Sequence, residues 1–219
     1  MALPKVYDWV RVRAALQLLE ETFPAEFPTW VLIGGGACWF YRESLRNAND
    51  ADFCVPPFGP EDEIHWLSKD VDFMGLTELE ASELFNAPFK PDAHTISFHG
   101  LEVDFLEEGF RLTLDLVQAN SREVRTSDFS FSVVDPAILY SEKCALIANK
   151  ARPQDPLHHK LLAEFLKCEL CTDLEKPGAL IARDERLKRR LILTIAASMT
   201  PELRPLKRWA KHHLPGYTE

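Results

Sequence analysis

Apolar residues recur at three- and four-residue intervals from Trp9 through Val12, Leu16 and Leu19 to Phe23, the signature of one buried helix face. Asp8 is placed to cap that helix, and Pro24 and Pro28 end it. The period then changes. Trp30-Val31-Leu32-Ile33 is an unbroken apolar run, as in a strand covered on both faces, and it leads into Gly34-Gly35-Gly36-Ala37. A helical segment follows from Cys38 to about Arg46. Residues 47–67 are polar and broken by Pro56, Pro57 and Pro60, which predicts a loop. Val71, Phe73 and Met74 favour a strand closed by Gly75, and strand alternation puts Asp70 and Asp72 on one face with Val71 and Phe73 on the other.

Thr77-x-x-Glu80 has the form of a capping box opening a short helix toward Phe85. Thr95–Phe98 and Leu101–Leu106 flank His99-Gly100, a two-residue connection that predicts a hairpin. On its second arm Val103 and Phe105 share a face, leaving Glu102 and Asp104 on the other. Phe129–Val133 alternates as a half-buried strand. From Asp135-Pro136 onward the pattern is helical, with helices to about Asn149, from Asp155-Pro156 to about Cys168, over 180–198 and over 201–213. The expected plan is an α/β (α+β) fold in which residues 1–134 form a mixed β-sheet flanked by helices and residues 135–219 a helical module.

Composition is ordinary for a globular chain of 219 residues, with 46% apolar and 27% charged residues and no internal repeat. No apolar run approaches the roughly 20 residues of a membrane helix, and the start of the chain lacks a signal-peptide pattern, so a cytoplasmic protein is expected. Five scattered cysteines fit reduced thiols; Cys168-x-x-Cys171 has no second pair to complete the four ligands of a structural zinc. The net charge of −9 argues against indiscriminate nucleic-acid binding, but it is unevenly distributed. Residues 180–213 hold nine Lys/Arg against three acids, a segment of +6 that leaves −15 elsewhere. That division suggests an acidic, metal-binding part and a basic part suited to a polyanion, although taken alone the basic part reads better as a solvated helix face.

The chemistry concentrates in the acids. Two carboxylates on one strand face repel each other, and a divalent cation relieves that repulsion; Mg²⁺ is commonly held by one or two protein carboxylates with phosphate oxygens and water. Asp104 on a neighbouring strand, about 4.8 Å away, would add a third. Asp50-Ala51-Asp52 is a competing pair, less favoured because its surroundings are polar and proline-broken. Glycines between a strand and a helix, as at Gly34-Gly35, let backbone N–H groups approach a phosphate, or simply make a tight turn. The seven histidines show no metal-ligand spacing, and no P-loop, dinucleotide fingerprint or nucleophile elbow occurs.

In this order, Leu32-Ile33-Gly34-Gly35-Gly36-Ala37, Ser68-Lys69-Asp70-Val71-Asp72-Phe73 and Leu101-Glu102-Val103-Asp104-Phe105-Leu106, the chain resembles the DNA polymerase β-like nucleotidyltransferase superfamily. Among its groups it is most similar to the bacterial abortive-infection and toxin–antitoxin nucleotidyltransferases. Lys143 and the Arg152–Asp155 segment match later family motifs more loosely, and nothing beyond residue 170 carries the likeness. The sequence departs from the common pattern in having glycine where many members carry serine, and in the long interval between Gly35 and Asp70.

The resemblance implies a Mg²⁺-dependent enzyme, with Mn²⁺ as a substitute, that moves a nucleoside monophosphate from an NTP to an acceptor. Asp70 and Asp72 would ligate the metal, Asp104 the ion beside the attacking hydroxyl, and Gly34, Gly35, Ser68, Lys69 and Lys143 would serve the nucleotide's phosphates. Both lysines read equally well as ordinary surface residues, and Asp155 reads better as a helix N-cap than as a catalytic group. RNA, tRNA first, is the expected acceptor through the basic C-terminal helices, with a protein side chain next. The chain would act as the toxin of a toxin–antitoxin pair, with an antitoxin protein as partner and no membrane. The alternative is a catalytically inactive member of the fold that binds a nucleotide or a partner.

Overall fold

A computed structural model describes residues 9–48, 70–90, 95–150, 152 and 154–172. Helix α1 (Trp9–Thr22) buries Val12, Ala15, Leu16 and Leu19, the apolar stripe expected of it. After a 3-10 turn at Phe27–Thr29 come β1 (Val31–Leu32), α2 (Gly34–Ala48), β2 (Val71–Met74) and α3 (Glu78–Phe85). There follow β3 (Thr95–Phe98), β4 (Leu101–Phe105), α4 (Leu114–Ala119), β5 (Ser121–Arg125) and β6 (Ser130–Val134). Helices α5 (Pro136–Lys150) and α6 (Asp155–Thr172) complete the described chain. The fold is mixed α/β, a six-stranded sheet in the order β3-β4-β2-β1-β6-β5 flanked by helices.

The sheet is mixed. β1 lies at its centre, antiparallel to β2 and parallel to β6, while β2 and β4 run parallel in register. That parallel pair sets Asp72 directly beside Asp104, flanked by the pairs Val71–Val103 and Phe73–Phe105. Alternation then separates the two faces: Val71, Phe73, Val103 and Phe105 are buried, and the acids point the other way. On the apolar side Trp30 meets Phe105 edge-on at 5.1 Å between ring centroids, and Phe23 lies 4.7 Å from Phe85. Each such ring contributes about 1.5–3 kcal/mol by leaving water, enough to make the register of β2 and β4 hard to slip. The buried core continues across residue 134 into Ile138, Leu139, Leu161 and Leu162; α5 packs on α6, and α6 on α2.

Several local expectations are met by specific contacts. Thr77 Oγ1 accepts the Glu80 N–H at 3.2 Å while the Glu80 carboxylate accepts the Thr77 N–H at 2.8 Å, a complete capping box. His99 (φ 48°) and Gly100 (φ 83°) both take the left-handed conformation of a tight hairpin turn. Asp135 Oδ1 accepts the Ala137 N–H at 2.9 Å and so caps α5.

Three features differ from the sequence pattern. Helix α2 starts at Gly34, not Cys38: the glycines form its first turn, opened by Gly34 at φ +59°, with an acid at its N-terminus to offset their poor propensity. Helix α4 and strand β5 carry no strong period, since Ser121-Arg122-Glu123-Val124-Arg125 is a mostly polar edge strand. Asp155 is the first residue of α6, and its carboxylate binds Lys143 and Arg152 instead of capping the residues that follow. Among the described residues no helix is long and apolar enough to cross a membrane. The expected loop at 47–67 is described only at residues 47 and 48, and the basic helices of 180–213 lie outside the described residues.

Candidate metal centre

Parallel pairing of β2 and β4 brings Asp72 and Asp104 side by side, and Asp70 stands one residue before β2 begins. One carboxylate oxygen from each of the three lies within 4.8 Å of the other two. The start of α2 closes over this group. The Gly35 N–H donates to Asp72 Oδ2 at 3.2 Å, and the Ile33 N–H donates to the Asp72 carbonyl at 2.9 Å. A Cβ added to Gly34 would lie 1.8 Å from Asp72 Oδ2, so glycine is the residue that lets the helix approach the acid.

The electrostatics of the group are unfavourable as it stands. Burial raises the Asp72 pKa from 3.8 to about 8, with the neighbouring Asp70 and Asp104 adding to the rise; the Gly35 N–H and Lys143 oppose it. Burial likewise raises Asp104 to about 6 against the lowering effect of a hydrogen bond from the Thr95 side chain. Asp104 Oδ1 is buried and has no hydrogen-bond partner among the described residues. Three carboxylates this close, one of them with an unpartnered buried oxygen, fit a hard divalent cation, since Mg²⁺ and Mn²⁺ take oxygen donors and would offset the crowded charge.

The other residues singled out by the sequence fall into three groups. Gly34 and Gly35 are brought onto the acids. Ser68, Lys69 and the competing pair Asp50 and Asp52 lie outside the described residues. Lys143 is on α5 with its side chain only 2% exposed and its ammonium bonded to Asp155 Oδ1 at 3.1 Å. It is near enough to lower the Asp72 pKa, but its nearest partner is a carboxylate.

Two contributors were missed from the sequence. Thr95 pairs with Asp104 across the β3–β4 hairpin, and counting back from a two-residue turn at His99-Gly100 would have found it. Glu142, buried on α5, accepts the backbone N–H groups of Phe110 at 3.0 Å and Arg111 at 2.5 Å, fastening the loop that follows β4. No sequence signal marks that contact, because its partners are backbone amides. Compared with protein-family models, curated proteins and solved structures, the chain gives no match.

Proposed function

We propose that the protein is a nucleotidyltransferase of the DNA polymerase β-like type, moving a nucleoside monophosphate from an NTP to an acceptor hydroxyl. The observation that carries this reading is the convergence of Asp70, Asp72 and Asp104 beneath the glycine start of α2. Asp70, Asp72 and Asp104 would hold Mg²⁺, whose chemistry when bound is to neutralise phosphate charge and to lower the pKa of the attacking hydroxyl. Thr95 orients Asp104 through its hydroxyl, and the Gly35 N–H holds the Asp72 carboxylate in place. The backbone of the first α2 turn offers the nucleotide's phosphates a positive helix end. RNA is the acceptor class the basic segment 180–213 favours, and a toxin within a toxin–antitoxin pair is the biological setting suggested by the motif order.

A labelled-NTP transfer assay tests the reading, run with Mg²⁺ or Mn²⁺ and with tRNA, mixed RNA and protein as acceptors. Incorporation that disappears in EDTA is expected. Nucleotide binding without incorporation into any acceptor, the chain included, would replace the transferase with a binding module of the same fold.

A further inference from the structure

Asp155 sits at the first position of α6 with its side chain 0% exposed, and two cations converge on it. Lys143 Nζ reaches Oδ1 at 3.1 Å from α5. Arg152 donates Nε to Oδ2 and Nη2 to Oδ1, both at 3.2 Å, and its backbone N–H to Oδ2 at 3.1 Å. The two cations differ in access: Lys143 is 2% exposed, whereas the Arg152 side chain is 55% exposed. Two of the five guanidinium N–H groups are engaged, and Nη1 has no partner among the described residues.

The cluster lies within electrostatic reach of the acid triad. Helix α6 packs on α2, and α2 begins against Asp72. Cys38, one turn into α2, is buried where the charges of Lys143, Asp155, Asp72 and Arg152 all reach it. Arg152 in turn is within reach of the charges of Asp72 and Asp70.

We propose that Arg152 binds the polyphosphate of the nucleotide at the triad, and that Asp155, backed by the buried Lys143, is a positioning residue that aims it. The inference rests on the nucleotidyltransferase reading and names the group that offsets phosphate charge there. Lys143, Asp155 and Arg152 together carry a net positive charge next to three acids that would otherwise repel a triphosphate. The fork is already ordered by Asp155, so little side-chain freedom is lost when a phosphate arrives, and planar guanidinium donors suit phosphate oxygens. Lys143 thus acts from behind the carboxylate.

Calorimetry on the full chain with Mn²⁺ present, titrating tripolyphosphate and then ATP, tests this. Arg152→Ala should weaken both ligands by about 10- to 100-fold, the loss expected for a charged hydrogen-bond pair. Arg152→Lys should recover part of it, and Mn²⁺ binding followed by electron paramagnetic resonance should be unchanged in both. In the transfer assay the same variants should raise KM more than they lower kcat. Because Arg152 is exposed, these variants carry the test even where Asp155→Asn fails to fold. Wild-type affinity for tripolyphosphate in Arg152→Ala overturns the proposal. So does a chain that binds Mn²⁺ but no tripolyphosphate, a result that leaves the cation site standing. Arg152-dependent binding of ATP with no transfer to any acceptor keeps this inference and removes the transferase.

Discussion

Two buried carboxylates within the same fold have opposite fates. Asp72 is pushed up to about 8 by burial and by two neighbouring acids, against the Gly35 N–H that donates to it. Asp155 is also desolvated, yet its pKa is lowered, because Arg152 and Lys143 bind it. A protein that needs only stability resolves buried charge as it does at Asp155. Gathering three acids, with Asp104 Oδ1 unpartnered among the described residues, costs stability and makes sense where a positive ligand completes the group. Asp155 is neutralised within the protein, whereas the triad has the donor set that a bound cation would neutralise.

The largest expected effects separate these regions by activity. Asp70→Asn, Asp72→Asn and Asp104→Asn should each reduce transfer on the order of a thousand-fold, since a neutral amide keeps the shape but loses a shared ligand's charge. Melting temperatures should hold or rise, because each substitution removes that group's repulsion with the other two and the cost of burying its charge. Asp50→Asn and Asp52→Asn should stay within a few-fold of wild type; dead but folded variants there, with active Asp70 and Asp72 variants, would move the site to the first pair. Gly34→Ala should be inactive as well, as its Cβ would meet Asp72 Oδ2 at 1.8 Å and the residue takes φ +59°. An active Gly34→Ala enzyme would mean that close approach of α2 to the acid is unnecessary.

At the Asp155 cluster the effect should appear in stability. Asp155→Ala strands the buried Lys143 ammonium and should cost about 3–5 kcal/mol in denaturant titrations. Lys143→Met should cost less, because Asp155 keeps three hydrogen bonds from Arg152. The double change Lys143→Met with Asp155→Leu should recover much of the loss, as replaced buried ion pairs often do. Equal costs for the two single variants would show that Arg152 does not compensate.

Much of the triad was legible because strands have a period of two. Once Val71 and Phe73 are assigned to the core, Asp72 must face away, and the same reasoning fixes Asp104 beside Val103 and Phe105. The capping box and the His99-Gly100 hairpin are local codes that need no tertiary information. What the sequence hid depends on long-range contact. Lys143 looks like any helical lysine until α6 packs on α5 and buries it against Asp155. Strand β5 escaped because an edge strand with both faces half-wet has no reason to alternate. The start of α2 was misplaced because three glycines read as loop, and only the nearby Asp72 explains why a helix begins there.

The smallest effect is the most diagnostic, because it follows a single proton. Asp72 has its folded pKa raised from 3.8 to about 8, so its contribution is full below 3.8 and is lost as pH rises through about 8. Asp104 acts with the same sign between 3.8 and about 6. His158 opposes both at acid pH: burial pushes its pKa well below 6.5, so stability falls as pH drops through 6.5. Asp155, with a lowered pKa, loses its contribution only below 3.8. Among the described residues the window from pH 6.5 to 8 therefore belongs to Asp72. Cation-free protein should lose about 2 kcal/mol across it, the work of one proton at about 1.4 kcal/mol per pH unit. Saturating Mg²⁺ holds the carboxylate ionised in the folded state and should flatten the slope, and Asp72→Asn should abolish it with or without the metal. Denaturant titrations at half-unit steps in EDTA and in Mg²⁺ measure both arms. A slope that persists in Asp72→Asn belongs to another group, and one that is absent from the wild type in EDTA means Asp72 is ionised without a cation. In that case the contrast with Asp155 fails, because the triad would be as well resolved as the ion pair.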